Sequence, residues 1–349
     1  MIGPQTSCSA YALPGTMTCR RVEKRCNGSC PPRSTGNRTK ARSGRALHTK
    51  EPPVLSESSV ADSSTASRHE RHDPAFRVAA LYCYPLKGCA PVVLTEAVLT
   101  RAGLRQDRSF MVTDDRGRCR TQRAHPQLAL IQPEISADGT RLVLHFPESA
   151  SIDIDVDNTG PRGDVNLFGA SYRGIDQGDE VAQRLSQALG TASRLVRVPP
   201  EHHRITDGHT PGTSGYADSC PIHLLSEASL QGLNRTLRAK DSPALPMSRF
   251  RPNIVITGGD GPHAEDTLRR IRIGRAELGY AKPAIRCVVT TVDQALGAKS
   301  GPEPLATLAT YRRAACGGIA FGTKFAVTST GTLAIGDPVT VAARGPSEV

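Results

Sequence analysis

The sequence predicts an α+β fold that is predominantly β, with a few peripheral helices and a disordered N-terminal leader. Three observations predict it. Short β-like runs recur at close spacing through the chain, separated by Gly, Pro and Asp turn residues. Only two stretches carry the apolar period of a helix. The start of the chain is basic, rich in Ser, Thr, Pro, Gly and Arg, and poor in large apolar residues. Of 349 residues, 38% are apolar and 4% aromatic, with no Trp. That is lean, yet a body of this size can still bury a sizeable core. No uninterrupted apolar run reaches the length of a membrane-spanning helix. No apolar stretch near Met1 resembles the core of a secretory signal. The ten Cys are too scattered, over too long a chain, for a disulfide scaffold.

The charge is unevenly placed. Residues 1–50 hold ten Lys/Arg and one acid, Glu23, and so carry +9 of the total +11. Residues 51–75 are net −3, and the remaining 274 are net +5. The basic tail can bind nucleic acid or anionic lipid non-specifically, which says nothing about the folded body. Too little of residues 1–75 can be buried to offset their chain entropy, so they are read as disordered. An Arg- and Ser-rich, acid-poor start also fits an organellar transit peptide. An ordinary extension, or a true start at a later codon such as Met17, fits as well. The spacing Cys26-x3-Cys30 lacks the following His or Cys pair of a zinc finger, so the leader thiols are read as free.

Order is expected from Phe76. Arg77–Tyr84 is a strand stopped by Pro85. Pro91–Thr95, Ala97–Thr100 and Arg108–Thr113 follow, the last closed by the turn Asp114-Asp115-Arg116-Gly117. Leu128–Ile131 and Leu142–Phe146 continue the pattern, and Ser151–Val156 alternates strictly, as a half-buried strand should. Asp179 can cap a helix over Glu180–Leu189, ended by Gly190. Ser226 can cap another over Glu227–Leu237, with Leu230, Leu233 and Leu237 as its buried stripe. Asn253–Ile256, Ile271–Ile273, Arg286–Val292, Phe325–Val327 and Val339–Val341 make the second half mostly β. The segment His202–His209 reads as a long loop joining the halves. Such an array argues for a barrel or a sandwich.

Four clusters could carry chemistry. In Tyr84-Pro85-Leu86-Lys87-Gly88-Cys89, a cation follows a strand end and Gly lets backbone approach a ligand. Leu104-Arg105-Gln106-Asp107-Arg108, with Thr121-Gln122-Arg123, offers guanidiniums suited to phosphate or carboxylate, or a salt-bridged face. Arg249-Phe250-Arg251-Pro252-Asn253 sets two Arg just before an apolar strand, as an anion site or as surface Arg. In Lys282–Asp293, Cys287 stands beside Arg286, and a neighbouring guanidinium favours the thiolate that binds soft metals. A lone strand Cys is otherwise inert core. HExxH, P-loop and GxSxG motifs are absent.

Taken in order, Tyr84-Pro85-Leu86-Lys87, Asp107-Arg108, Thr121-Gln122-Arg123, Asp218-Ser219-Cys220-Pro221, Leu225–Leu230, Arg249–Asn253, Glu265-Asp266, Arg286-Cys287, Thr290–Asp293, Glu303-Pro304-Leu305, Phe321-Gly322 and Gly336-Asp337 resemble the MOSC superfamily. More closely, they resemble the two-part arrangement of the mitochondrial amidoxime reducing components and their bacterial relatives. The resemblance spans residues 77 to about 342. It implies a MOSC N-terminal β-barrel-like domain over residues 76–198 and a MOSC β-barrel-type domain over 199–345.

It further implies a molybdenum cofactor (Mo-molybdopterin), with Cys287 as the metal's protein ligand. Lys87, Arg108, Arg251 and Arg286 match cationic positions around the anionic pterin phosphate, and Asn253 matches a polar contact. Ser219 and Cys220 match a segment that approaches the cofactor, and Asp218 a position where an acid faces the metal. Multiply charged anions in a partly desolvated cleft need such cations. The implied activity is reduction of small N-hydroxylated substrates by oxygen-atom transfer, with Cys287 and Asp218 as catalytic residues. Electrons would come from a separate carrier, ferredoxin-like or cytochrome b5-like, with its reductase.

Gly88, Ile285 and Cys220 depart from what relatives often carry, which bears on substrate range more than on cofactor binding. The superfamily also includes the C-terminal part of molybdenum cofactor sulfurases. A sulfur carrier or sulfurtransferase is therefore the alternative, as is a non-catalytic cofactor carrier. Pyridoxal phosphate, specific nucleic acid and a transmembrane segment are not expected. A cytoplasmic location is favoured unless the leader is a transit peptide, which would make it mitochondrial or plastid.

Overall fold

The computed structural model describes residues 76–349; the expected leader, with its charge and thiols, lies outside the described residues. The centre of the fold is a closed barrel of seven strands. Around the ring run Ile254–Thr257, Ile222–Ser226, Ile319–Ser329, Ala276–Arg286, Leu268–Ile273, Pro338–Arg344 and Phe76–Cys83, which closes back on Ile254–Thr257. Closure removes both sheet edges. Phe76–Cys83 thus takes both its ring neighbours from far along the chain. The interior is filled by apolar residues, among them Leu81, Leu224, Ile256, Ile271 and Phe325.

One ring pair is parallel, Ile222–Ser226 with Ile254–Thr257, so its connection must cross over. The helix α1 (Asp179–Leu189) belongs to the other lobe; the crossover is made by α2 (Glu227–Arg238). Ser226 caps α2 by accepting from the Ser229 N–H (3.1 Å). Beneath that cap the buried Glu265 carboxylate accepts from the Ser226 and Ser229 hydroxyls (2.8 and 2.7 Å). A negative charge suits the positive end of the helix dipole.

The other lobe holds a four-stranded antiparallel sheet (Phe110–Thr113, Arg194–Arg197, Ala170–Asp176, Arg162–Leu167) and a meander (Gln132–Ile135, Arg141–Phe146, Ser149–Asp155). In the last strand Ile152 and Ile154 are buried while Asp153 and Asp155 are exposed, the expected alternation. α1 packs Val181, Leu185 and Leu189 into this second core. Among the described residues, no helix is long and apolar enough to cross a membrane.

Four local expectations are corrected. Leu128–Ile131 is not a strand: Pro126–Leu130 is a 3-10 turn, because Pro126 is pre-set for a first helical turn and donates no N–H. Asp179 does not cap α1. Gly178, at φ 101°, is the cap residue, and Asp179 is the first helical residue, paired with Arg194. The loop 202–209 is not wholly irregular, since Ile205–Thr206 pairs with Gly212–Thr213. Arg286–Val292 is not a strand either. The barrel strand ends at Arg286, and Cys287 caps the 3-10 turn Val288–Thr291. Its β-branched residues suggest a strand, but the Thr290 and Thr291 hydroxyls donate back to the Cys287 and Val288 carbonyls (2.9 and 2.8 Å). Such local bonds compete with a sheet ladder.

Candidate functional site

Where the first barrel strand stops at Pro85, the ring of Tyr84 is buried and clamped by two guanidiniums. Arg108 and Arg251 each lie 4.3 Å from its centroid. Both arginines, and Gln106, have positive φ (49°, 54° and 67°). Left-handed backbone at residues other than Gly costs energy and collects at functional sites.

The buried Asp107 carboxylate holds this arrangement. One oxygen accepts from the Tyr84 N–H (2.8 Å) and from the Asn253 amide (3.1 Å), and the other pairs with Arg108. The Arg108 carbonyl accepts from the Tyr216 N–H (2.8 Å), and a side chain at Gly215 would meet the same carbonyl at 2.8 Å. Asn253, expected as a cofactor contact, is itself buried. Its amide donates to the Tyr82 carbonyl and to Asp107, and its oxygen accepts from the His223 N–H. It therefore positions Asp107 and the strand end.

Further cations converge here. Arg286 donates to the Phe250 carbonyl (2.8 Å) and leaves its buried Nε without a partner. Arg251 donates to Gln294 (3.2 Å), which is paired with Gln122. Lys87 forms an ion pair with Asp218; the Lys87 side chain is 6% exposed and that of Asp218 63%. Partial desolvation by its crowded surroundings works to raise Asp218, but Lys87, helped by Lys324 and Arg108, holds it well below the usual carboxylate range. Burial pushes the Arg251 and Arg286 guanidiniums down, and their positive neighbours push the same way. Among the described residues, Lys87 pairs with Asp218 and Arg108 with Asp107, two carboxylates against the five cations Lys87, Arg108, Arg251, Arg286 and Lys324. A partly desolvated surplus of positive charge is an anion site.

Cys287 lies at the edge of this cluster. Its Sγ is 3.5 Å from Nη2 of Arg123, which donates to it. Among the described residues, no group of three or more His, Cys, Asp and Glu side chains could hold a metal ion. A metal at Cys287 must therefore bring most of its ligands with it. One soft sulfur beside cations and an unpartnered guanidinium nitrogen suits a metal carried on an anionic, sulfur-donating cofactor.

The other expected residues, Ser219 and Cys220, follow Asp218 in the chain. Cys220 is buried, and its thiol, pushed up by burial, donates to the Asp207 carbonyl (3.4 Å). Ser219 is half-buried, and its carbonyl accepts from the Ser214 hydroxyl (3.2 Å). Sequence reasoning missed Lys324, although a lone ammonium inside an apolar barrel strand is itself a signal. It also left the roles of Tyr84, Arg123 and Phe168 unread.

Lys324 supplies a pH test. Burial, with Arg286 and Arg108 nearby, pushes it from 10.5 down to about 7, against the smaller upward pull of Cys220 and Asp218. Its folded value lies below its unfolded one. Between about pH 7 and 10.5 the unfolded chain therefore holds the extra proton, and this group's contribution to stability rises with pH. A bound anion reverses the preference. Sulfate should bind more tightly below neutral pH than above it, taking up a proton as it binds. Calorimetry in buffers of different ionisation heat measures that uptake, which Lys324→Met should remove.

Two family descriptions match the chain: "MOSC N-terminal beta barrel domain" over residues 75–192 and "MOSC domain" over residues 211–340. Mitochondrial amidoxime-reducing component 1 of Mus musculus is 34% identical over 291 residues, covering 78% of this chain and 84% of that protein. The Homo sapiens protein of the same name is 35% identical, covering 75% and 82%. Mitochondrial amidoxime reducing component 2 of Rattus norvegicus is 36% identical, with the same coverage.

Proposed function

We infer, from a chain that belongs to the MOSC family and carries both the N-terminal β-barrel and the MOSC domain, a molybdenum-cofactor-dependent reductase of small N-hydroxylated compounds, amidoximes among them. At family level it is a molybdenum-cofactor-related oxidoreductase. One observation carries the finer reading. A thiol beside Arg123 stands at the rim of a cation cluster whose two central guanidiniums grip one buried tyrosine.

When bound, the cofactor would supply the two-electron redox chemistry that N–O cleavage needs. The chain's residues do the rest. Cys287 would ligate the metal through its sulfur. Arg108, Arg251, Arg286, Lys87 and Lys324 bind and orient the anionic pterin. Asp107 and Asn253 hold Tyr84 and Arg108 in place for it. Reducing an N-hydroxyl group to N–H consumes two electrons and two protons and releases water. The Asp218 carboxylate, held ionised by Lys87, pairs with that ammonium at Oδ1 and keeps it at the site. The electrons arrive from a separate carrier protein and its reductase. The relatives' names place them in mitochondria, and the same location is proposed for this chain.

The test is the full chain purified from a cofactor-competent host. Near-stoichiometric molybdenum by elemental mass spectrometry, and reduction of an amidoxime with a reduced electron donor, are expected. No molybdenum, with cofactor supply verified, would overturn the reading in favour of a sulfur carrier.

A further inference from the structure

The hairpin joining Arg162–Leu167 to Ala170–Asp176 turns on just two residues, Phe168 and Gly169. Both have positive φ, 56° and 92°. Two-residue turns of this kind strongly favour Asn-Gly, because the first position also needs left-handed backbone. A bulky aromatic there is an outlier. Core packing does not explain it, since Phe168 is 45% exposed. Turn chemistry and burial both argue against Phe168, so its value must lie in what the ring touches.

It touches the site. The Phe168 ring centroid is 4.8 Å from Lys87 Nζ and 5.5 Å from the Arg123 guanidinium carbon. Lys87 is the partner of Asp218, and Arg123 reaches the Cys287 sulfur. The tip of this hairpin of the four-stranded sheet therefore lays an aromatic face over Lys87 and over Arg123, the cation that reaches the thiol. Within two residues of that thiol, two apolar side chains are open to solvent: Ile285 is 44% exposed and Val288 48%. A cationic floor with apolar side chains beside it suits a planar, conjugated guest better than a small polar one.

We propose that Phe168 is a substrate-selecting residue, a plate on which the planar π-system of an arene-bearing amidoxime lies while its N–O group faces Cys287. The proposal rests on the reductase reading above and deepens it. Stacking of two π-faces, offset and in van der Waals contact, adds to the area it buries. The plate therefore discriminates through binding, and its loss appears in KM more than in kcat.

Two variants of the full chain test it. Phe168→Asn puts the residue the turn prefers at the tip, so folding is kept while the ring is lost. Molybdenum content is expected to be retained. The ratio of kcat/KM for benzamidoxime to that for acetamidoxime should fall about five- to tenfold, chiefly through the KM for benzamidoxime. An equal change for both substrates, or a change in kcat alone, overturns the plate. The second variant needs no turnover. The chain has no Trp, so Phe168→Trp sets a single indole at the tip. Its emission should respond saturably to benzamidoxime at several-fold lower concentration than to acetamidoxime. A protein without molybdenum or turnover sinks the reductase reading, and the indole titration still decides this one: an arene-selective response supports the plate, and none, or an equal one, overturns it.

Discussion

Cys287→Ser protein from a cofactor-competent host is expected to fold as the parent does, to lose bound molybdenum, and to reduce amidoximes at least about a hundredfold more slowly. The fold should survive because Cys287 is a half-buried cap residue with extended backbone at a 3-10 turn, and Ser is itself well suited to a cap. The turn's own bonds run to the Cys287 carbonyl, which the substitution keeps. What changes is the donor. A hydroxyl is harder than a thiolate and stays protonated near neutral pH, so it holds a soft site poorly. Changes one layer beyond a metal's ligands already cost about 10–100-fold, so losing the ligand sets the larger figure as a floor. Elemental mass spectrometry, with thermal melting as a folding control, checks both halves. A Ser variant that keeps molybdenum and turnover would remove Cys287 from the site.

The largest stability effect should come from Asp107. Its buried carboxylate satisfies the Tyr84 N–H, the Asn253 amide and the Arg108 guanidinium together. Asp107→Ala leaves all three without that partner in a place water barely reaches. Removing one partner of a buried ion pair costs about 3–5 kcal/mol, because an uncompensated charge remains. For a fold of this size that is a fall in Tm of roughly 10 °C. Asp107→Asn keeps the shape and some of the acceptance but cannot neutralise Arg108, so an intermediate loss is expected. Sulfate affinity should fall in both variants, since Arg108 and Tyr84 are no longer held in register. Thermal melts and sulfate titrations measure the two effects. An Asp107→Ala protein that melts with the parent would show that Tyr84 is positioned by the strand end alone.

These two residues show how unevenly the site can be read. Cys287 was legible because a thiol beside Arg286 is chemically conspicuous, and because the ordered motifs around it resemble one family. Asp107 was legible only as a neighbour able to pair with an arginine. Its grip on Tyr84 and Asn253 joins residues 23 and 146 positions away, and no local pattern reports that. Lys324 reads as one charge in an apolar strand until the barrel turns it toward Arg286 and Arg108. Phe168 carried no signal at all, because a Phe-Gly pair does not announce a hairpin whose tip overlies another segment's cations.

The sequence by itself determined the class of fold, the site of α2 and its Ser226 cap, the alternating strand at Ile152–Asp155, and the set of cations and thiol from which a site is made. Those follow from period, capping and side-chain chemistry, which act over a few residues. Only the tertiary structure decided that Phe76–Cys83 closes a barrel with strands from the far end of the chain, and that Arg108 and Arg251 meet across one tyrosine. It also decided that Cys287 caps a turn just past a strand's end rather than opening a strand, since two threonine hydroxyls capture the carbonyls a ladder would need. Pairings between distant segments are set by closure and packing, in which every strand's partners depend on all the others.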